Sequence, residues 1–255
     1  MEMNFFSQVR LGISSYADAH TLIIKHKLWL YIIAPGFINC IVFITSFLFI
    51  SNLSSQLVEW ALNSISSFLG YPELLSETKG ILALVITIFI KIAFVILYLA
   101  VYKYIILILM SPLLALLSER VESILTGKNY SFNLFDFLHD IIRGIVLAVR
   151  NLIVELLLLM VVFIIGFVPV LNLTTPFLTF YISSYYYGFS MLDYSNERRR
   201  FTIKQSIHFI RMQRGVAFGN GAVFYGLLFL PFVGWLIAPA YSVTAAAIAR
   251  EKLKS

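Results

Sequence analysis

The sequence predicts an all-α polytopic membrane protein, with two long transmembrane helices, two shorter hairpins that span or partly penetrate the bilayer, and interfacial amphipathic helices. Three observations carry this. Of 255 residues, 60% are hydrophobic and only 13% charged, against roughly 45–50% and ~25% in soluble domains. The apolar residues form continuous runs instead of an alternating pattern, which favours helices over a barrel. Finally, the basic residues are sorted onto one set of connections, as in membrane topology.

The elements follow in chain order. In segment 1–27, Phe5, Val9, Ile13, Tyr16 and His20 recur at helical spacing, the pattern of a helix lying in the interface plane. No cleavage pattern of a signal peptide is visible. Residues 28–50 form a run without charge, longer at 1.5 Å per residue than the ~30 Å hydrocarbon core. A connection over 51–79, rich in Ser, Asn and Glu, is expected outside the cytoplasm. The second long helix, 81–110, carries Lys91 and Lys103.

Downstream, Leu134, Leu138, Ile141, Ile145 and Ala148 read as a second amphipathic helix. A first hairpin is expected over 152–192 (Leu152–Val168 and Phe177–Leu192), turning between Pro169 and Pro176. Ile203, Ile207 and Ile210 give a third amphipathic piece. A second hairpin is expected over 216–249 (Val216–Leu230 and Phe232–Ala249), turning between Pro231 and Pro239. The similar proline spacing suggests a weak internal repeat. Arms this short sit at the lower limit for spanning, so full crossing and partial entry both stay open. The whole, 1–255, reads as a single membrane domain.

Charge sets orientation. Of 19 Lys and Arg, three lie in 1–27, four in 112–150, six in 193–214 and three in 249–255. The connection 51–79 holds only Lys79, so both termini and the hairpin bases are expected in the cytoplasm. The net charge of +6 therefore reads as topology, and nucleic acid is not an expected partner. The single cysteine, Cys40, excludes a disulfide scaffold.

Several residues can carry chemistry. Thr87, Lys91, Tyr98 and Tyr102 share one helix face by spacing. They read either as a polar stripe along an anion path, or as a protruding helix whose lysines snorkel to the interfaces. The hydroxyl-rich run from Tyr181 through Ser183, Ser184 and Tyr187 to Ser190 can replace an ion's hydration shell or bond neighbouring helices. Glu155 reads as an interfacial ion pair or as a proton relay, and Arg198–Arg200 as an orientation anchor or an anion clamp. Asp136, His139 and Asp140 read as a solvated face, with a metal site as the remote alternative. No HExxH, GxSxG or phosphate-binding glycine loop occurs, so no catalytic or metal-binding residue, no cofactor and no enzymatic activity is expected.

The stretch Ser111-Pro-Leu-Leu-Ala-Leu-Leu-Ser-Glu-Arg-Val-Glu122 with Leu125-Thr-Gly127 resembles the proline-led segment of the CysZ sulfate-transporter and etoposide-induced membrane protein family. Pro35 with Asn39, Asp193-Tyr194, and Phe218-Gly219 with Pro231, Pro239 and Thr244-Ala245-Ala246 resemble further family positions, in order, from about Tyr16 to Ala249. The resemblance implies sulfate uptake at an inner membrane, by a homo-oligomer built from dimers, with membrane lipid and a sulfate-like anion as partners. It also implies anion binding by an arginine pair just before Pro35. Here those positions hold Trp29 and Leu30, with His26 and Lys27 where the family has proline and glycine, and Leu114 replaces a family Asn. Lys25, His26 and Lys27, beside a helix N-terminus, can be substitute anion ligands, although lysine lacks arginine's forked geometry; the two lysines read equally as positive-inside residues that hold no ligand. A non-transporting scaffold or lipid-handling protein of the same fold is the alternative.

Overall fold

The computed structural model of the chain describes residues 3–69, 81–127, 134–230 and 233–253. It is all-α: no strand occurs among the described residues. The helices are α1 (Phe5–Lys25), α2 (Leu30–Leu69), α3 (Ile81–Thr126), α4 (Leu134–Ile165), α5 (Thr175–Arg198), α6 (Ile203–Met212), α7 (Arg214–Leu228) and α8 (Val233–Lys252). A short 3₁₀ turn, Leu171–Thr174, joins α4 to α5.

Helix ends follow the backbone breakers more than the edges of the apolar runs. No glycine or proline stands between Gly36 and Gly70, and α2 continues unbroken to Leu69. The expected connection over 51–79 is thus helical as far as Leu69, and its remainder, 70–79, lies outside the described residues. Polar residues there do not end the helix, because their hydroxyls bond back to carbonyls one turn earlier, as Ser54 Oγ and Ser55 Oγ do to Ser51 O at 2.8 and 3.1 Å. Likewise α3 runs past residue 110 and through Pro112 to Thr126, and stops before Gly127, whose φ of 70° only glycine adopts freely. The amphipathic stretch at 134–148 and the first arm of the first hairpin are one helix, α4, with no break between them. Pro176 sits in the first turn of α5, where its missing N–H costs nothing.

Two stretches among the described residues are long and apolar enough to cross a membrane, Cys40–Ser64 in α2 and Ile142–Ile165 in α4; Thr87–Tyr98 is a shorter apolar stretch. The chain is all-α with membrane-length apolar helices, as its composition requires.

The chain forms two compact units, Met1–Cys40 with Ile106–Ser255, and Ile41–Ile105. In the first, α7 lies between α1 and α5, α8 contacts α1, α5 and α7, and α4 packs along α5. One core cluster joins Ile23, Leu28, Ile32, Leu117, Val121, Ala240 and Ala247. The second unit contains the C-terminal part of α2 and the first part of α3.

The buried face of α1 differs from the expected apolar stripe. Gln8, Gly12, Ser15, Ala19 and Ile23 are buried, whereas Phe6 and Ile13 are exposed. Small residues let backbones approach closely: an ideal Cβ on Gly12 would stand 2.6 Å from Val216 O, and one on Gly219 would stand 2.4 Å from Val9 O. This is the small-residue packing of membrane helices, in which apolar side chains face lipid. The α5–α7 crossing is tighter still. A Cβ on Gly188 would lie 1.8 Å from Ala217 O and one on Gly221 1.7 Å from Ser184 O.

Candidate functional site

Sequence-predicted residues fall into three groups. The first is the turn between α1 and α2. Leu28 N–H donates to Ile23 O at 3.1 Å and Lys27 N–H to Ile24 O at 3.2 Å, with Lys27 in the left-handed region at φ 54°. This is a Schellman termination, closed by contact of Leu28 with Ile23 in the core cluster. Lys25, His26 and Lys27 are all exposed on it. The tightness of the turn sets these three side chains at the beginning of the 40-residue helix α2, whose first N–H groups carry partial positive charge. Trp29 and Leu30 are exposed as well, at 44% and 75%.

The second group lies inside the α4–α5 hairpin. Arg143, Leu147, Asn151 and Glu155 are buried at successive four-residue steps on α4, which places them on one face. That face meets the hydroxyl-rich side of α5. Glu155, 1% exposed, accepts a 2.9 Å hydrogen bond from Ser183 Oγ. Twelve residues away, about 18 Å along the helix, Arg143 donates twice to Asp193, at 2.9 and 2.8 Å. Asn151 Nδ2 and Ser184 Oγ are buried without a hydrogen-bond partner among the described residues. Tyr187 is buried; its ring lies tilted against Phe224 and stacked on Tyr225 of α7, at centroid distances of 4.6 and 5.7 Å. Because α4 is one helix, Glu155 sits in the middle of the apolar stretch Ile142–Ile165 rather than near its end.

The base of this hairpin is an ion network that the sequence reading took only in pieces. Ser206 Oγ donates to Asp193 at 2.5 Å, and Asn196 Nδ2 donates to Ser206 Oγ at 2.9 Å. Arg143 Nε donates to Phe201 O at 2.9 Å, and Arg250 Nε donates to Asn196 Oδ1 at 3.2 Å. The Arg250 guanidinium lies over the Phe209 ring, 3.6 Å from its centroid. Burial first, and then Arg199, push Arg250 down to about 10, which leaves it charged at neutral pH. Burial, with Glu197 and Asp193 adding, holds the Tyr194 phenol well above its ordinary value. Arg198 pairs with Glu119 and Glu197, at 3.5 and 3.1 Å. Arg199 pairs with Glu122 and Glu251, at 3.1 and 2.9 Å. Glu119 and Glu122 of the segment 111–122 are thus partners of Arg198 and Arg199, at the end of the helix that carries Asp193. Of the Arg198–Arg200 triplet, two members tie α3, α5 and α8 together. Arg200 ends α5 in the left-handed region at φ 59°.

The third group is in the other unit. Tyr98 OH donates to Phe43 O at 3.0 Å and lies 3.1 Å from Ser46 Oγ. Tyr102 meets the rings of Phe43 and Tyr98, at 5.1 and 5.4 Å. Lys91 is exposed. The sequence-predicted stripe therefore divides: Tyr98 and Tyr102 form an aromatic cluster and Lys91 stands outside it. The side chains of Lys103, Pro35, Asn39, Asp136 and Asp140 lie outside the described residues, as does the Pro231 turn.

The family model for "Sulfate transporter CysZ/Etoposide-induced protein 2.4" matches residues 16–239. A sulfate transporter CysZ of Pseudomonas paraeruginosa is 24% identical over 221 residues, with 86% of each chain covered. Proteins of the same name from two strains of Pseudomonas aeruginosa are also 24% identical over 221 residues, again with 86% of each chain covered.

Proposed function

The chain belongs to the family of the sulfate transporter CysZ and etoposide-induced protein 2.4, and from that premise we propose that it passes a small inorganic anion, sulfate first, across an inner membrane. Both termini would face the cytoplasm, by the distribution of basic residues. The carrying observation is the exposed Lys25-His26-Lys27 turn, wound tightly onto the N-terminus of a membrane-length helix. Two lysines and a helix start raise the local anion concentration without fixing it in a deep well, which suits an ion that must leave again. Beyond that entrance, hydroxyls and amide groups supply the interior of the α4–α5 hairpin: Ser184 Oγ and Asn151 Nδ2 can donate to a passing ion or its water, and Ser183 can exchange its bond to Glu155 for one. Lys91, Tyr98 and Tyr102 are the weaker path candidates, since the two tyrosines are engaged with Phe43. No covalent chemistry enters this reading, and assembly as dimers or larger homo-oligomers accompanies it.

A scaffold or lipid-handling role is the second reading. One observation favours it: the positions of the implied arginine pair hold Trp29 and Leu30, both exposed and neither bearing a positive charge. Calorimetric titration of the purified chain with sulfate separates the two. Binding that falls about tenfold or more in Lys25→Gln/Lys27→Gln supports the anion reading, two exposed charges each contributing up to ~1 kcal/mol. Absence of binding in the folded wild type supports the scaffold.

A further inference from the structure

Around the α4–α5 hairpin the arginines divide into two kinds. Arg143, Arg198 and Arg199 have carboxylate partners, whereas Arg150 and Arg211 form no ion pair among the described residues. Arg150 stands inside the apolar stretch Ile142–Ile165 of α4, about 12 Å from its start along the helix, where a charge is costly unless something compensates it. It is half-buried, and its Nη1 donates to Asn151 Oδ1 at 2.8 Å. A side chain only 1% exposed therefore holds this guanidinium in place.

The pairings of Arg143 with Asp193 and of Glu155 with Ser183 set α4 antiparallel to α5. That register puts Arg150 level with Tyr186 and its neighbour Tyr185. Helix α6 also meets α5, where Ser206 bonds Asp193 and Asn196, and it carries Arg211 on an exposed face with Lys204 and His208. The charges of Arg150 and Arg211 both act on the phenols of Tyr185 and Tyr186, so side chains from three helices gather there. The ring of Tyr185 is fixed edge-on to Tyr186 and Phe189, at centroid distances of 5.3 and 6.1 Å. Neither phenol makes a hydrogen bond among the described residues. Glu155 also acts on Tyr186, but it is one carboxylate against two guanidiniums and is already bonded by Ser183. The cluster is thus built of donors and keeps an excess of positive charge.

We propose that Arg150, Arg211 and the Tyr185 hydroxyl bind a tetrahedral oxyanion, supplied either as free sulfate or as the phosphate of an anionic phospholipid. A guanidinium fork matches two oxygens of such an ion, and the phenol donates to a third. The bound charge compensates Arg150 within the apolar stretch, as an intramembrane cation requires. The site shares no residue with the Lys25–Lys27 turn and stands whether or not that turn binds an anion.

The test uses the full chain, delipidated in detergent, with Lys25→Gln/Lys27→Gln as the parent so that the other candidate site is silent. One arm titrates sodium sulfate by calorimetry. The other uses native mass spectrometry to compare phosphatidylglycerol with diacylglycerol of the same chains, which lacks the phosphate. The parent is expected to bind sulfate, or to retain phosphatidylglycerol over diacylglycerol; which arm responds identifies the source of the oxyanion. Adding Arg150→Gln/Arg211→Gln should lower that binding about tenfold or more, and Tyr185→Phe about threefold. Tyr185→Phe keeps the ring packing, so it decides the matter even if the double arginine variant fails to fold, and monodispersity on size exclusion establishes that each variant is folded. Binding in neither arm by the folded parent overturns the proposal. So does binding that survives Arg150→Gln/Arg211→Gln or Tyr185→Phe unchanged, and so does equal retention of the two lipids without sulfate binding.

Discussion

Gly188→Ala probes the tightest contact in the fold. The added Cβ would stand 1.8 Å from the carbonyl oxygen of Ala217, whereas real Cβ atoms essentially never come within 3.0 Å of such a neighbour. Helices α5 and α7 must therefore part by about 1.2 Å, because the obstacle is backbone and cannot rotate aside. A gap of 0.5–1 Å already forfeits roughly a quarter to a half of a van der Waals contact. The same separation loosens Tyr187 from Phe224, whose centroids are 4.6 Å apart. Overpacking of this kind costs ~1–3 kcal/mol, and a backbone obstacle places it at the upper end, about 3 kcal/mol. For a chain of this length that corresponds to roughly 6–12 °C in Tm. Thermal unfolding in detergent, followed by loss of the monodisperse peak, reads it. Gly144→Ala and Gly226→Ala are the controls, since nothing lies within 4 Å of either added Cβ. Gly144, inside α4, should gain up to ~1 kcal/mol from helix propensity. A Gly188→Ala protein that melts within about 2 °C of wild type would refute the close-packing account.

Four further outcomes follow from other contacts. Arg143→Met strands Asp193 in the interior and should cost ~3–5 kcal/mol, much of it recovered in Arg143→Met/Asp193→Leu; additive losses in the double-mutant cycle would contradict a coupled pair. Ser183→Ala removes the 2.9 Å donor to Glu155 and should lower stability by ~1.5–3 kcal/mol, and a melting curve identical to wild type would show that the bond carries nothing. Lys27→Gly relieves a left-handed backbone at φ 54° and should raise stability by ~0.5–1 kcal/mol, while weakening sulfate binding. A loss of stability would mean that the Lys27 side chain contributes more than its charge. For orientation, Asn172→Cys at the hairpin tip should react with an impermeant maleimide from outside only, and Lys204→Cys from the cytoplasmic side only; the reverse pattern would invert the topology.

Composition and charge sorting made the fold class legible, because sequestration of long apolar runs from water is a requirement that few residues can override. Turn positions were legible too: Pro176, and the pairing of short arms around the turn at 169–176, are encoded by backbone geometry. Helix lengths were not. Polar Ser, Asn and Gln in 51–69 read as a connection, yet with no Gly or Pro among them the helix continues, since hydroxyls satisfy themselves on the preceding turn. The inner faces of α1 and α4 were missed for a related reason. A search for an apolar stripe finds Phe5, Val9 and Ile13, but in lipid the buried stripe is the small or polar one: Gly12, Ser15 and Ala19 on α1, Arg143, Asn151 and Glu155 on α4. Reading those helices for their smallest and most polar face would have found them. The partnership of Glu119 and Glu122 with Arg198 and Arg199 has no local signal, because α3 and α5 are separated by α4 in the chain. Lys25, His26 and Lys27 were legible as a group, since they adjoin in sequence.

The central claim is passage of a small inorganic anion, and uptake of radiolabelled sulfate into proteoliposomes measures it without intermediaries. The account predicts uptake above protein-free vesicles, competed by unlabelled sulfate and reduced in Lys25→Gln/Lys27→Gln. Uptake no greater than in protein-free vesicles, from a monodisperse and folded preparation, would contradict it.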